Sequence, residues 1–533
     1  MNTPAALAPL RGPVFRGLWL AWLAANMTMW MNDVAAAWLM TSLTTSPVMV
    51  ALVTTASTLP VFVLGLPSGA IADIVDRRRY FAATQLWVSV NALVLSALAL
   101  AGALTAELLL LLTFTNGVGL ALRWPAFSAI VAQVVPREEL PQALALNGVS
   151  MNLSRVIGPM VAGALITAVS PAAVFALNAV LSAGAFVLVL RWRSNPRTSA
   201  LPGERFVGAM RAGLNFALQS PRLKTVLLRV MLFFFQSAGL TALLPLVAKG
   251  LHGGGPGTFT VMLACMGLGA IAAAMLFPRW RRQHDPDTFV RVGTVVHALV
   301  AALVILWPEI WVALPAMFVI GMAWISVANS LSVSAQTILP DWVRARGMSM
   351  YQMSLMGAAA AGSLTWGQVA SLVGVPMAVL AASGFGLVAT VLARRFIVSG
   401  GEQLDFSPVT PPVLPHTAIE VGPEEGPVMV TVEYLIDPQR AEEFSRIMER
   451  TRRARLRQGA LSWGLFRDTG QPGRIVEYFV DENWLEHQRR LERFTAFDAE
   501  LREQRLALHL GPEPPVTRRY VGEAMRERPD APV

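Results

Sequence analysis

The stretch Gly69-Ala-Ile-Ala-Asp-Ile-Val-Asp-Arg-Arg-Arg79 lies between two long apolar runs, residues 48–66 and 80–104. Its two acidic and three basic residues occupy a short link between segments that are long enough to cross a bilayer. Links rich in positive charge stay on the cytoplasmic side of a membrane. The stretch therefore predicts a cytoplasmic loop between two membrane spans, acting either as an orientation signal or as part of a moving gate.

The composition indicates a membrane protein. Of 533 residues, 54% are hydrophobic and only 14% are charged, whereas soluble domains carry about 25% charged residues. The net charge of +9 does not indicate nucleic-acid binding, because the arginines lie in short links between apolar runs, where they set orientation. The single Cys265 and the lack of Cys/His metal spacing predict no disulfide framework, no metal and no cofactor.

Apolar segments of about 20 residues predict an all-α membrane protein with twelve transmembrane helices. The links between them alternate, so that arginine-rich links are followed by links with almost no charge. This asymmetry and the even number of spans predict that both termini lie in the cytoplasm. The predicted spans are residues 15–41, 46–72, 80–102, 106–134, 140–168, 172–192, 223–249, 257–279, 288–307, 311–338, 344–371 and 374–396.

The sequence also repeats itself, with 204 positions between the members of each matching pair. The pairs are Gly117 and Gly321, Ser128 and Ser332, Pro136 and Pro340, and Ser150 and Ser354. The repeat relates spans four and five to spans ten and eleven. It therefore predicts two parallel six-helix halves, an arrangement in which a transporter binds its substrate near the midplane between the halves.

Changes in composition divide the chain into five predicted parts. They are a first six-helix half at 1–192, a cytoplasmic central link at 193–222, a second six-helix half at 223–398, a linker at 399–426 and a cytoplasmic domain at 427–533.

The last part has the pattern of a small α+β domain. Alternating apolar and polar residues predict strands, and helical spacing predicts two helices between them. The order strand, helix, strand, strand, helix, strand is that of a ferredoxin-like domain. The predicted strands are residues 428–436, 460–467, 474–480 and 516–521, and the predicted helices are residues 438–457 and 483–506.

The opening stretch resembles the signature between the second and third spans of major facilitator superfamily transporters. The resemblance implies that Gly69 and Asp73 belong to the end of the second span and that Arg77, Arg78 and Arg79 face that end. In the family, this contact holds the outward-facing state and breaks when the transporter switches.

Two positions depart from the family pattern. Asp76 stands where a Gly is usual, and Ile74 stands where an Arg is usual. We expect Asp76 to add to the same network of charges.

A second resemblance lies in the fifth span, where Gly158-Pro-Met-Val-Ala-Gly163 is similar to the glycine–proline motif of drug/proton antiporters. Ala162 stands where that motif has a Gly. Small residues allow close helix contact and a proline interrupts the backbone ladder. The resemblance implies a bend or tight helix packing at Gly158, Pro159 and Gly163, and it favours export over import.

Three ionisable candidates stand out inside predicted spans: Asp33 in the first, Arg123 in the fourth and Arg155 in the fifth. Each requires a partner or a water-filled cavity, because an isolated charge in hydrocarbon is costly. Asp33 is a candidate for a structural ion pair with either arginine, for proton coupling, or for a wet position near the outer surface. If all three line the cavity, two positive charges against one negative charge favour an anionic or mixed-polarity substrate.

The run Trp484-Leu-Glu486-His487 resembles the monooxygenase-like domains that are fused to bacterial transporters of the transmembrane secretion effector group. The resemblance makes these three residues candidates for a site. We expect His487 to be solvated, because its helix is heavily charged. This favours a dimerisation or regulatory role for the domain over catalysis.

Together the resemblances cover nearly the whole chain and indicate the enterobactin-exporter-like branch of the superfamily. They imply a bacterial inner-membrane transporter, not an enzyme, that exports a small molecule by alternating access in exchange for protons. The sequence has no nucleotide-binding motif, so ATP is not the direct energy source. Three alternatives stay open: an importer or lipid transporter of the same fold, a transporter fused to an active enzyme, and a sensor that does not transport.

Overall fold

The computed structural model describes residues 5–136, 139–191, 206–280, 284–398, 405–407, 409 and 418–523. The chain forms two compact units. The first comprises residues 1–203, 225–335 and 348–399, and the second comprises residues 204–224, 336–347 and 400–533.

Long apolar helices build the first unit. Residues 221–224, 336–338 and 341–347, at the ends of three of these helices, belong to the second unit. The helices are α1 (Pro13–Leu43), α2 (Pro47–Ile74), α3 (Arg77–Leu100), α4 (Ala106–Val134), α5 (Leu140–Ala168), α6 (Pro171–Arg191), then, after α7 in the central link (Phe206–Gln219), α8 (Pro221–Thr241), α9 (Leu244–Gly250), α10 (Pro256–Trp280), α11 (Pro286–Leu306), α12 (Ile310–Ile338), α13 (Asp341–Val373) and α14 (Val375–Leu392).

Ten spans among the described residues are long and apolar enough to cross a membrane, with α8 and α9 forming one of them. Helices α1 and α13 have 31 and 33 residues but are not among the ten. Polar side chains lower the hydropathy of α1, which buries Asn26, Thr28 and Asn32. The helical membrane architecture is confirmed, and the number of twelve spans stays a prediction.

The local sequence explains several helix ends. Pro47, Pro171 and Pro256 each begin a helix, where the missing N–H costs no hydrogen bond. Gly374 separates α13 from α14 with a φ of 89°, a conformation that favours glycine. These residues keep the loops between consecutive helices short.

The internal repeat is visible in the helix bounds. Helices α4 and α12 each contain 29 residues, and both ends of α12 lie 204 positions after the matching ends of α4. The two helices therefore occupy equivalent places in the two halves, as the repeat predicts.

One buried cluster joins the two halves at one end of the first unit. We call the end with the loops after α1, α5 and α13 the arginine-poor end, and the opposite end the arginine-rich end. The cluster lies at the arginine-poor end and includes Met40 and Ile166 of the first half together with Phe259 and Met317 of the second. At the arginine-rich end, the described cluster around Phe127 contains residues of the first half alone.

A four-stranded antiparallel sheet forms the centre of the second unit, and its strand order is β2-β3-β1-β4. This is the strand order expected for the ferredoxin-like pattern. The second predicted helix is divided in two, because Thr495 and Asp498 form a capping box that starts a new helix. The elements are β1 (Val428–Leu435), α15 (Ala441–Arg457), β2 (Ser462–Arg467), β3 (Arg474–Asp481), α16 (Trp484–Glu492), α17 (Ala496–Leu506) and β4 (Val516–Val521).

Arginine–aromatic contacts tie the domain helices to other parts of the second unit. The Arg457 guanidinium lies 4.8 Å from the ring of Phe406 and 5.9 Å from that of Phe216 in α7. The Arg493 guanidinium lies 4.9 Å from the ring of Trp342 in the first turn of α13. Such contacts contribute about 0.5–2 kcal/mol each, depending on their exposure.

Candidate functional site

Asp33 lies in the C-terminal part of α1 and has no ion-pair partner among the described residues. Its Oδ1 atom is buried and accepts no hydrogen bond from any described residue. The structure therefore shows no pair between Asp33 and either arginine. A carboxylate in this state is costly in an apolar environment, which makes Asp33 ready to take a proton or a ligand.

Arg123 holds α4 against α1. It is 1% exposed, and its Nη1 donates to the backbone oxygen of Ala25 over 2.6 Å. Its Nη2 donates a longer bond to Asn26 Oδ1 at 3.5 Å, and its guanidinium lies 5.5 Å from the Trp22 ring. All these partners belong to the first half, so the contacts of Arg123 are those of a helix-packing residue.

Arg155 contacts both halves. Its guanidinium lies 5.3 Å from the ring of Trp30 in α1 and 4.6 Å from the ring of Trp324 in α12. Tyr351 of α13 lies near Arg155, and its phenol donates to the Ala328 backbone oxygen at 3.1 Å. The sequence did not identify Trp324 or Tyr351, because nothing in the local pattern separates an aromatic residue that faces a cation from one that fills the core.

The glycine–proline motif lies where α5 meets its neighbours. A Cβ atom at Gly158 would come within 2.8 Å of Trp30 Cβ. A Cβ atom at Gly163 would come within 2.1 Å of the Thr260 side chain in α10. Pro159 lies buried within α5 between these two contacts. The motif therefore occupies tight contacts with α1 and with the second half.

The gate stretch is described in part, since the side chains of Gly69, Asp73 and Arg77 lie outside the described residues. Asp76 is the N-cap of α3, and its Oδ1 accepts a hydrogen bond from the Arg79 backbone N–H at 2.9 Å. Arg78 donates to the backbone oxygen of Leu190 near the end of α6. A capping role accounts for the departure at Asp76 in a way that the sequence did not anticipate.

Buried charges occupy the helix-facing side of the C-terminal sheet. Asp481 at the end of β3 accepts from His487 Nδ1 at 2.7 Å and from Arg490 Nε at 3.0 Å. Arg519 Nε donates to His487 Nε2 at 3.3 Å. Burial raises the pKa of Asp481, but Arg490 and His487 lower it more, and the pKa lies below its ordinary value.

His487 is buried, with 1% exposure, and the expectation of a solvated residue was wrong. Trp484 and His487 are three residues apart and therefore share one face of α16, and that face packs on β3. Burial lowers the pKa of His487, and Arg490 lowers it too, while the hydrogen bond to Asp481 only partly compensates. The imidazole is neutral, with both ring nitrogens engaged.

Trp484 and Glu486 have structural contacts as well. The Trp484 side chain is buried, and its ring lies 5.3 Å from that of His487. Glu486 pairs with Arg489 at 2.6 Å and with Arg493 at 3.3 Å. The three candidates therefore lie on one helix, and each is engaged by other residues of the domain.

A second buried carboxylate lies four residues earlier in β3, on the same face of the sheet. Glu477 is fully buried and accepts from Arg455 Nε at 3.1 Å and from Trp463 Nε1 at 3.0 Å. Burial raises the pKa of Glu477, but Arg455 and Arg505 lower it more, so the net shift is downward. Like Asp481, Glu477 is an ionised group that holds helices on the sheet.

A family model and two named relatives match this sequence over different lengths. A family model described as transmembrane secretion effector matches residues 4–528. Enterobactin exporter EntS of Salmonella typhi is 27% identical over 409 residues, which cover 75% of this chain and 95% of the exporter. Macrolide efflux protein A of Streptococcus pyogenes is 24% identical over 245 residues, which cover 45% of this chain and 60% of that protein.

Solved transporters share the fold at low identity. The nucleoside transporter NupG gives a TM-score of 0.60 at 13% identity, covering 72% of this chain and 99% of NupG. A bacterial homologue of the human lysosomal transporter Spinster, in an inward-facing and occupied conformation, gives 0.59 at 16% identity, covering 73% and 98%. These likenesses show the fold alone, whereas the family model covers nearly the whole sequence. The chain therefore belongs to the transmembrane secretion effector family of major facilitator transporters.

Proposed function

We propose that this transporter exports a small molecule across the inner membrane of a bacterium, by alternating access and in exchange for protons. The relatives support export, since they are named for the efflux of macrolides and the export of enterobactin. The alternation of arginine-rich and arginine-poor links supports twelve spans with both termini in the cytoplasm.

The observation that carries the proposal is Asp33. An unpaired carboxylate inside a membrane helix is rare, because its ionised form is costly there. Its Oδ1 is buried without a hydrogen-bond partner, so a proton is the simplest ligand that relieves the cost. Asp33 binds a proton in one state of the cycle and releases it in the other.

The gate belongs to the same proposal. Asp73 lies in the last turn of α2 and Arg77 in the first turn of α3. In the outward-facing state these residues, with Arg78 and Arg79, hold the arginine-rich end closed. Asp76 sets the start of α3, where its side chain accepts from the Arg79 backbone N–H.

The C-terminal domain enters the proposal as a module without catalysis of its own. His487 is buried, and its two ring nitrogens are engaged by Asp481 and Arg519. Oxidation of aromatic compounds by the purified full-length protein, lost on His487→Gln, would contradict this role.

Export is tested by comparing a deletion strain that carries the wild-type gene with one that carries an empty vector. Untargeted mass spectrometry of medium and cell extract should show at least one compound enriched in the medium and depleted in the cells. An importer would give the reverse distribution, and a sensor without transport would give equal distributions. Asp73→Asn should abolish the enrichment while the protein remains in the membrane.

A further inference from the structure

We propose that Arg155, Trp30 and Trp324 form a subsite that binds a planar aromatic anion. This inference rests on the proposed function, because it assigns a substrate class to the place where Arg155 contacts both halves. It starts from polar groups that the protein itself leaves unpaired.

Arg155 is a cation without an anion. Its Nε is buried and donates to no acceptor among the described residues, and none of the described carboxylates forms a salt bridge with it. A guanidinium in hydrocarbon needs a partner that offsets the cost of burying its charge. Cation–π contacts with two indole rings offset only part of that cost. Its N–H donors stay available, and a guanidinium matches a carboxylate in bidentate geometry.

Trp30 adds a second free donor. Its Nε1 is also buried without a hydrogen-bond partner, and buried indole N–H groups usually have one. The ring that carries this donor lies 5.3 Å from the Arg155 guanidinium, so a ligand bound beside Arg155 has a second unpaired N–H group nearby.

The two indole rings indicate that the ligand also carries a flat aromatic ring. Trp30 and Trp324 both lie within 5.3 Å of the Arg155 guanidinium, measured to the ring centroids. Aromatic rings stack on or pack edgewise against one another, which adds about 0.5–1.5 kcal/mol per pair beyond the burial of area. A ligand with an anionic group attached to a flat ring satisfies the cation, the free N–H and the rings together.

The position of the subsite links binding to the transport cycle. Trp30 belongs to the first half, whereas Trp324 belongs to the second half. Asp33 lies three residues after Trp30, on the same face of α1. A ligand anion close to Asp33 disfavours the ionised carboxylate, so loading of the substrate and of the proton influence each other.

The test is calorimetric binding to the purified full-length protein in lipid nanodiscs, with naphthalene-2-carboxylate, its neutral carboxamide and octanoate as probes. The wild type should bind the carboxylate about 10- to 100-fold more tightly than the carboxamide, the ratio expected for charged hydrogen bonds. Arg155→Gln should remove that preference, and Arg155→Lys should keep part of it. Trp324→Leu should weaken the binding of both aromatic probes more than the binding of octanoate.

Arg16→Gln is the matched control, since Arg16 is exposed at the start of α1 and should leave binding unchanged. Size-exclusion profiles establish that each variant is folded. An unchanged preference in Arg155→Gln, or a wild type that does not bind the carboxylate, overturns the subsite. Neither result bears on export itself, which the mass-spectrometric comparison tests separately. The failure of the subsite and the failure of the proposed function are therefore distinguishable.

Discussion

Asp481 is the residue on which the packing of α16 depends. It is 2% exposed and is bonded to His487 and Arg490. Removing one partner of a buried pair leaves the other charge without compensation, which costs about 3–5 kcal/mol. Breaking a buried ion pair of the C-terminal domain should therefore destabilise it more than breaking an exposed pair.

Asp481→Asn should lower the free energy of local opening of β3 and α16 by about 3 kcal/mol, because Arg490 stays buried without its carboxylate. Hydrogen exchange in the full-length protein measures this change. Glu442→Gln is the control: it removes an exposed pair with Arg446 at 2.9 Å and should cost at most about 1 kcal/mol. Equal exchange in the two variants would contradict the structural role of Asp481.

The buried His487 makes the domain sensitive to acid. Its pKa in the folded protein lies below the ordinary value of 6.5, so the unfolded state binds the proton more readily. The stability that the neutral imidazole contributes is present above pH 6.5 and is lost as the pH falls below it. Asp481 contributes stability that is lost only at lower pH, as the pH falls below its ordinary value of 3.8.

Hydrogen exchange of α16, corrected for intrinsic rates, should therefore be faster at pH 5.5 than at pH 7.5. His487→Gln should remove most of that difference, because the amide does not titrate while it still donates to Asp481. A pH dependence of the same size in the variant would assign the effect to another group.

Helix α5 makes close contacts with the second half. Gly163 approaches Thr260 of α10 so closely that a Cβ atom would lie 2.1 Å from its side chain. Gly267 of α10 packs on Val156 of α5 along the same contact between these two helices. A Cβ atom at Gly267 would lie 3.2 Å from the Val156 side chain. This contact joins the two halves.

Gly163→Val should force α5 and α10 apart and open the arginine-poor end. Spin labels at Ala103→Cys and Leu372→Cys, in a Cys265→Ser background, should show a longer distance by pulsed electron resonance. Gly184→Val in α6 is the control, since nothing lies within 4 Å of a Cβ atom there. The same distances in both variants would mean that this contact does not close that end.

Sequence patterns predicted elements better than contacts. The repeat anticipated the bounds of α4 and α12, and alternation anticipated the four strands, because both depend on local periodicity. His487 was misplaced because the charge of a helix was used in place of its buried face, although its spacing from Trp484 indicated that face. Arg155 and Trp324 are 169 positions apart, so their contact depends on how the two halves pack.

At the scale of the whole molecule, polar contacts reinforce the apolar cluster between the halves. Lys249 Nζ donates to the Thr41 backbone oxygen at 2.8 Å and lies 5.3 Å from the Trp38 ring. Both partners lie at the arginine-poor end of α1. Dimerisation through the C-terminal domain, the domain boundaries and the count of twelve spans stay predictions at this scale.

Proton coupling through Asp33 is tested most directly in everted membrane vesicles, with the compound identified in the medium as substrate. An imposed pH gradient, acidic inside, should drive its accumulation by the wild type and by Glu107→Gln, which removes an exposed charge from α4. Asp33→Asn should lose gradient-driven accumulation and retain exchange of labelled for unlabelled substrate. Gradient-driven accumulation by Asp33→Asn at the wild-type level would contradict the coupling role of Asp33.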